Sequence, residues 1–354
     1  MTGAESPEAV LGDAVASGAF PGGSAETGTS RGATWQHATG ALTYAPGATR
    51  VTPQTLYDLA SLTKVIATTS LAMRLKRTGA LDLDAPAHQW MPAWAEGPFS
   101  DVRVRDLLEH AAGLAAWLPL YEAFDSARLP ATAKDDVIGA IGALAPAYPP
   151  RAKSIYSDLG FIVLGHVIES VAGARIDAAF EAFRAEASLP GTLRYGAAAG
   201  HDVAPTEFDP WRGRLPTGEV HDENACAMGG AAPHAGLFGT AADVGAFARI
   251  VLRTFGEETA LGTPLLMAAF AARSHVPGSS RALGWDTMLT TSSCGGRMSA
   301  GAIGHTGFTG TSLWIDPARD RYFVLLTNRV HPTRENKQIR EVRRAFHDAA
   351  ATQS

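Results

Sequence analysis

Lysine is scarce in this sequence. Of thirty basic residues only Lys64, Lys76, Lys134, Lys153 and Lys337 are lysines, and they do not cluster. Thirty-five acidic residues bring the formal net charge to −5, the opposite of the basic stripe a nucleic-acid backbone demands. Cysteine is nearly missing. Cys226 and Cys294 stand alone, neither in a CxxC pair, which excludes a disulfide framework and a thiolate zinc or redox motif and predicts two small buried side chains. No run of eighteen apolar residues occurs, so no membrane-spanning helix is expected. The opening MTGAESPEAVLGDAV lacks the basic start and apolar core of a secretory leader, and the expected compartment is the cytoplasm. No GK dipeptide is present for a Walker-type loop, and no serine sits in G-x-S-x-G.

What remains is an ordinary globular composition, 46% hydrophobic and 18% charged, in a chain long enough for about two domains. Helical spacing of apolar residues marks 7–18, 61–77, part of 101–116, 134–145, 158–172, 174–187 and 240–255. Residues 20–43 look extended between Gly-rich turns. From about 281 the runs ALGWDTML, GAIGHTG, TSLWIDP and RYFVLLTN are short and strand-like. The tail from Arg334 reads as an amphipathic helix. Strands at both chain ends predict an α/β (α+β) fold. An antiparallel sheet flanked by helices is built from 1–60 and 275–354, and 61–274 forms an inserted, mainly helical domain with the site in the cleft between them. Residues 190–236 form a long loop-rich stretch, a length that tends to accompany function or irregular packing.

Three local patterns carry chemistry. Ser61-Leu62-Thr63-Lys64 opens a helix, where residues three apart share a face, so a lysine amine can meet a serine hydroxyl. A serine needs such a base to become a nucleophile, and a helix N-terminus favours a developing oxyanion. Taken alone, the spacing equally fits a helix cap with a solvated lysine. However, the apolar run after Lys64 places that charge near a core, where it needs a reason. Tyr156-Ser157-Asp158 precedes an apolar helix; a tyrosinate beside an ammonium can take a proton, while the plainer reading is a core-edge tyrosine with Asp158 capping the helix. His305-Thr306-Gly307-Phe308 lies between strand-like runs. It is either an ordinary turn or a strand edge whose Phe308 N–H joins that of Ser61 in an oxyanion hole.

The three patterns in this order, together with TLYDLASLTKVIAT, VRVRDLLEHAAGL, YSDLGFIVLGHVIE, GHTGFTGTSLWIDP and VLLTNRVHP, resemble the class C β-lactamase and D-alanyl-D-alanine peptidase superfamily, esterases and amidases included. The resemblance covers nearly the whole chain. It implies Ser61 as the acylated nucleophile and Lys64 with Tyr156 as the acid/base pair. Asp158, His305 and Thr306-Gly307 become pocket groups, and Ser61 and Phe308 the oxyanion donors. It implies no cofactor or metal, and a small ester or amide as substrate. An acyltransferase, or a D-amino-acid peptidase or β-lactamase, is the alternative; a non-catalytic binding module runs against the intact Ser61, Lys64 and Tyr156. Two departures stand out. The third motif begins with His305 rather than lysine, and a neutral histidine anchors a substrate carboxylate less strongly. Asp158 replaces the usual Asn and disfavours anionic lactams. Trp117, Tyr121 and Phe308 are candidates to shape an acyl pocket, whereas Trp211 and Trp285 read as packing. Trp117, His221 and His234 are candidate cleft-lining groups, with Asp222 and Glu223 beside them. The His-Asp-Glu run lacks any metal-ligand spacing.

Overall fold

The computed structural model describes residues 6–353. The first five residues, part of the leader reading and of the 1–60 segment, lie outside that range. Helix α1 (Pro7–Ala16) starts on Ser6, whose side chain accepts the Ala9 N–H, and has proline at its first position. Strands β1 (Gly22–Thr29) and β2 (Gly32–Gly40) form a hairpin, and β3 (Tyr57–Asp58) follows. Later come β4 (Arg194–Tyr195), β5 (Leu237–Gly239), β6 (Asp286–Thr287), β7 (Ile303–Thr306), β8 (Ser312–Asp316) and β9 (Arg321–Thr327). One antiparallel sheet runs β2-β1-β9-β8-β7-β6, uniting the two chain ends as expected; β3-β5-β4 form a second, small sheet.

Side-chain alternation divides the large sheet between two cores. Phe323 and Leu325 of β9 pack outward with Val10, Leu11 and Phe346, under α1 and the C-terminal helix. Tyr322, Val324 and Leu326 face inward, joining the core of the helical part.

The helices are α2 (Ser70–Arg77), α3 (Val104–Leu108), α4 (Ala133–Gly142), α5 (Asp158–Ala172), α6 (Ile176–Glu186), α7 (Glu223–Ala227), α8 (Ala241–Thr254), α9 (Pro264–Ala271) and α10 (Ile339–Thr352). Helix α5 is apolar on nearly every face because it is the hub of the middle region, packed by α2, α3, α4 and α6. Ser157 caps its start and Gly173, left-handed at φ 64°, ends it. Helix α8, capped by Thr240 and Asp243, lies against β1 and β9. No single described helix is long and apolar enough to cross a membrane.

Several boundaries differ from the sequence reading. The helix expected within 101–116 stops at Leu108, because His110 and Gly113 take positive φ and turn the chain. The tail helix begins at Ile339 rather than Arg334, whose guanidinium is drawn into pairs with Glu207 and Glu223. The stretch ALGWDTML supplies only two paired residues. Cys294 is buried, while Cys226 is only partly so.

Candidate active site

Ser61 is delivered by a tight, over-determined turn. Ala60 just before it has φ 47°, a left-handed conformation unusual for a residue with a Cβ. The buried Asp58 carboxylate holds that turn: one oxygen accepts the Ala60 N–H at 2.8 Å and the other the His221 N–H at 2.6 Å. Burial raises the Asp58 pKa against these bonds. Thr309 and Thr311 clamp the same segment by donating to the carbonyls of Asp58 and Leu59. Residues 64–69 then form a widened π turn before α2, with Lys64 fully buried one turn from Ser61.

The Lys64 ammonium meets three acceptors. Nζ donates to Ser61 Oγ at 3.0 Å and to the His234 carbonyl at 3.0 Å, and pairs with Asp158 Oδ1 at 2.6 Å. Burial opposes the lysine charge, but Asp158 and then Tyr156 outweigh it and raise the pKa above the ordinary lysine value. The Tyr156 ring centroid is 5.0 Å from Nζ. Its hydroxyl is buried beside Lys64 and Ser61 without a well-aligned hydrogen bond, and burial raises its pKa despite the nearby ammonium. Thus the spacing of Ser61, Lys64, Tyr156 and Asp158 in sequence becomes one contiguous group.

The facing wall comes from β7. Its end carries His305, Thr306, Gly307 and Phe308 into the cleft. Gly307 is required: a Cβ there would lie 2.6 Å from the Leu59 carbonyl oxygen and 2.1 Å from Thr311 Oγ1, so only glycine lets this edge approach the nucleophile turn. The N–H groups of Ser61 and Phe308 donate to no acceptor among the described residues. The Phe308 ring is fixed between His221, stacked at 5.6 Å, and the Arg329 guanidinium at 4.4 Å. Its rim stays half-exposed. Burial, aided by the charge of Arg281, pushes the His305 pKa well below the usual histidine range, so His305 is a neutral ring.

The whole forms a cavity of about 640 Å³. Trp117, His221, Asp222, Glu223 and His234 all line it. The last four are already engaged: Asp222 and His234 with each other, His221 with Glu207, and Glu223 with Arg334, which also pairs with Glu207. Burial resists the Asp222 charge, yet His234 and the Ala225 N–H hold its carboxyl below the usual range. Tyr121, expected to shape the acyl pocket, stands behind Trp117 and packs edge-on to Trp211. Trp285 is buried against Phe247.

Two residues escaped the sequence reading. His110 packs at a tilt on Tyr156 (4.7 Å), stacks on Phe161 (5.0 Å) and accepts the Ser157 N–H, fixing the tyrosine ring. Its only signal was its place in LLEHAAGL. Arg281 lines the cleft with its guanidinium 5.1 Å from the Tyr156 ring. Asp286 approaches it only to 3.9 Å, and its side chain donates no hydrogen bond of good geometry. It sits in the motif-free run PGSSRALG.

Against known proteins, the Beta-lactamase family model matches residues 8–347. A Salmonella gallinarum protein, provisionally named a D-alanyl-D-alanine carboxypeptidase, is 30% identical over 316 residues, 82% of this chain and 73% of that one. The N-acetylmuramyl-L-alanine amidase of Bacillus subtilis is 30% identical over 311 residues, 78% of this chain and 69% of its own. Among solved structures, EstCE1, described as a hydrolase with promiscuous acyltransferase activity, superposes with a TM-score of 0.74 at 21% identity. That match covers 96% of this chain and 97% of the other.

Proposed function

Because this chain belongs to the β-lactamase family of serine hydrolases, we propose that it cleaves a small ester or amide through an acyl-serine formed on Ser61. The carrying observation is the Lys64 Nζ–Ser61 Oγ hydrogen bond of 3.0 Å beside a cavity lined by Ser61 and Phe308, whose N–H groups have no acceptor among the described residues. Ser61 attacks the carbonyl as Lys64 and Tyr156 handle its proton. The N–H groups of Ser61 and Phe308 hold the oxyanion. The leaving group departs protonated, and water enters by the same route. A cavity of this volume also has room for an acyl group and a second acceptor, which supports acyl transfer to an alcohol or amine as the second reading.

The test is a time course with a short-chain p-nitrophenyl ester, with intact-protein mass measured during turnover. Wild type should gain the mass of the acyl group, and Ser61→Ala should gain none and lose at least about 10⁴-fold in kcat. Full activity in Ser61→Ala would end this reading.

A further inference from the structure

We propose that Arg343 is a positioning residue of the oxyanion site: it orients and polarises the Gly307–Phe308 peptide, whose N–H receives the substrate carbonyl oxygen. The inference rests on the acyl-serine reading above and deepens it.

The carrying observation is a cation bonded to the far end of that peptide. Arg343 Nη2 donates to the Gly307 carbonyl at 2.6 Å and to the Thr311 carbonyl at 2.9 Å. The Gly307 carbonyl and the Phe308 N–H belong to one peptide unit. In a trans peptide the two point in opposite directions, so the bond to Arg343 aims the N–H away from the guanidinium. The Phe308 N–H itself has no acceptor among the described residues. Gly307 leaves no room for a Cβ against the Leu59 carbonyl, which sets this unit against the turn that delivers Ser61. The following carbonyl, that of Phe308, accepts Arg329 Nε at 2.8 Å. The peptide units on both sides of Phe308 are therefore held by guanidinium groups.

Satisfying carbonyls does not account for this arginine. The Gly307 carbonyl already accepts the Gly310 N–H at 3.1 Å, and the Thr311 carbonyl already accepts the Gly307 N–H at 2.7 Å. Neither acceptor would be orphaned without Arg343. The charge is also costly where it lies. Arg343 shares the buried face of α10 with Ile339 and Phe346 and is 8% exposed. The charged groups that act on it are Arg329 and Arg340, both cations. Burial, with those two cations, pushes its pKa down to about 9, which still leaves it charged at neutral pH. A neutral donor would bond the same carbonyls at less cost. What the cation adds is polarisation. A charge-assisted bond to the amide oxygen is stronger than a neutral one, and it strengthens the N–H at the other end of the unit. The gain is greatest when negative charge builds on the substrate oxygen, so it falls on kcat more than on KM.

The test compares wild type with Arg343→Gln, Arg343→Met and Arg343→Lys on a short-chain p-nitrophenyl ester. Chemical denaturation checks that each folds. Difference infrared spectroscopy with an isotope-labelled acyl donor reads the carbonyl stretch of the acyl-enzyme. Arg343→Gln keeps a donor and removes the charge. Its kcat should fall about 10-fold at nearly constant KM, less than the loss of about 10²–10³ that follows removal of an oxyanion donor itself. Its carbonyl band should move to higher wavenumber as the bond to the oxygen weakens. Arg343→Met removes charge and donor together and should lose more by both measures. Arg343→Lys should recover most of the rate and the band position. Unchanged kcat and an unmoved band in Arg343→Gln would overturn the assignment. So would a slower Arg343→Gln whose band stays in place, or an Arg343→Lys no better than Arg343→Gln at any pH, since each marks mere packing. Should the neutral variants fail to fold, the pH profile of Arg343→Lys decides. The charged or titratable groups around position 343 are Arg329 from the loop after β9, Arg340 and His347 on α10, and His305 on β7. Among them a buried amine sheds its proton at lower pH than a guanidinium. Relative to wild type, rate and band shift should then fade together as pH rises, and profiles parallel to wild type would overturn the assignment. An acyl band on wild type that no Arg343 variant moves defeats only the role of Arg343. No acyl band and no mass adduct on wild type defeats the acyl-serine reading itself.

Discussion

The two walls of the cleft treat charge in opposite ways. On the nucleophile wall, the Lys64 cation has a dedicated carboxylate at 2.6 Å and two further acceptors. On the facing wall Arg281 is only loosely attended, with Asp286 at 3.9 Å. Arg329 spends its guanidinium on the carbonyls of Phe308, Arg334 and Asn336, and Arg343 on those of Gly307 and Thr311. A buried charge is costly unless its donors are met, and the facing wall meets them with backbone carbonyls and, for Arg334, with Glu207 and Glu223, leaving Arg281 the loosely held cation.

The sharpest way to break this contrast is at Lys64. Lys64→Met leaves Asp158 without its counter-charge, and breaking one half of such a buried pair costs about 3–5 kcal/mol. We expect kcat to fall about 10³-fold, with a matching loss of denaturation free energy. The double variant Lys64→Met/Asp158→Asn removes both charges and should recover much of the stability but none of the activity. Recovery of neither would show that the pair is not the unit the structure draws.

The next effect tests the facing wall. Burial, aided by Arg281, holds His305 neutral. Arg281 lines the same cleft, with its guanidinium 5.1 Å from the Tyr156 ring. Arg281→Ala should raise KM about 10- to 100-fold for acyl donors bearing a carboxylate, in line with one lost charge-assisted hydrogen bond of about 1.5–3 kcal/mol. Neutral p-nitrophenyl esters should change little. Equal loss for charged and neutral donors would mean that Arg281 merely packs on Tyr156. This makes turnover of anionic lactams depend on Arg281 opposed by Asp158, a balance that the third motif alone does not reveal.

What could be read in advance follows from the same contrast. Ser61 and Lys64 lie three residues apart on one helical face, so local geometry brings them together, and Tyr156 and Asp158 flank a helix start that composition marks clearly. Sheet pairing of the chain ends was legible because alternating apolar runs at 303–327 need partners and 20–43 offers them. Arg281, by contrast, acts from an irregular loop, where neither periodicity nor spacing says which way a side chain points. The polar chain Arg334–Glu207–His221 joins residues more than a hundred positions apart, and it shortened the predicted tail helix through a long-range pair that local propensity does not register. The long loop of 190–236 was flagged by length alone, and its His221 and Asp222 turned out to brace the turn before Ser61 and the His234 ring.

The smallest expected effect compares histidines buried at the site with one buried behind the sheet. His110, His305 and His347 are all held neutral, chiefly by burial, with pKa values below the usual 6.5; for His347 the pKa falls to about 3. His347 is bonded to Ser312 Oγ at 2.9 Å and packs against the aromatic rings of Phe323 and Phe346. The sign of the linkage is set by which state binds protons. Above about pH 6.5 neither the folded nor the unfolded chain protonates these rings, and the stability is independent of them. Below it the unfolded chain takes up protons that the folded chain excludes. Stability therefore declines as pH falls, over a window that for His347 extends from about 6.5 to about 3. Each such histidine adds up to about 1.4 kcal/mol of lost stability per pH unit within its window. His347→Gln keeps a polar partner for Ser312 and removes one titrating group. Its denaturation free energy should fall less steeply than that of wild type between pH 6 and 5, by about one proton's slope. Its kcat at pH 7.5 should match wild type, since the ring lies across the sheet from the cleft. Identical acid slopes in the two proteins would mean that His347 is protonated in the folded state as well, and that the outer core is wetter than its packing against Phe346 implies.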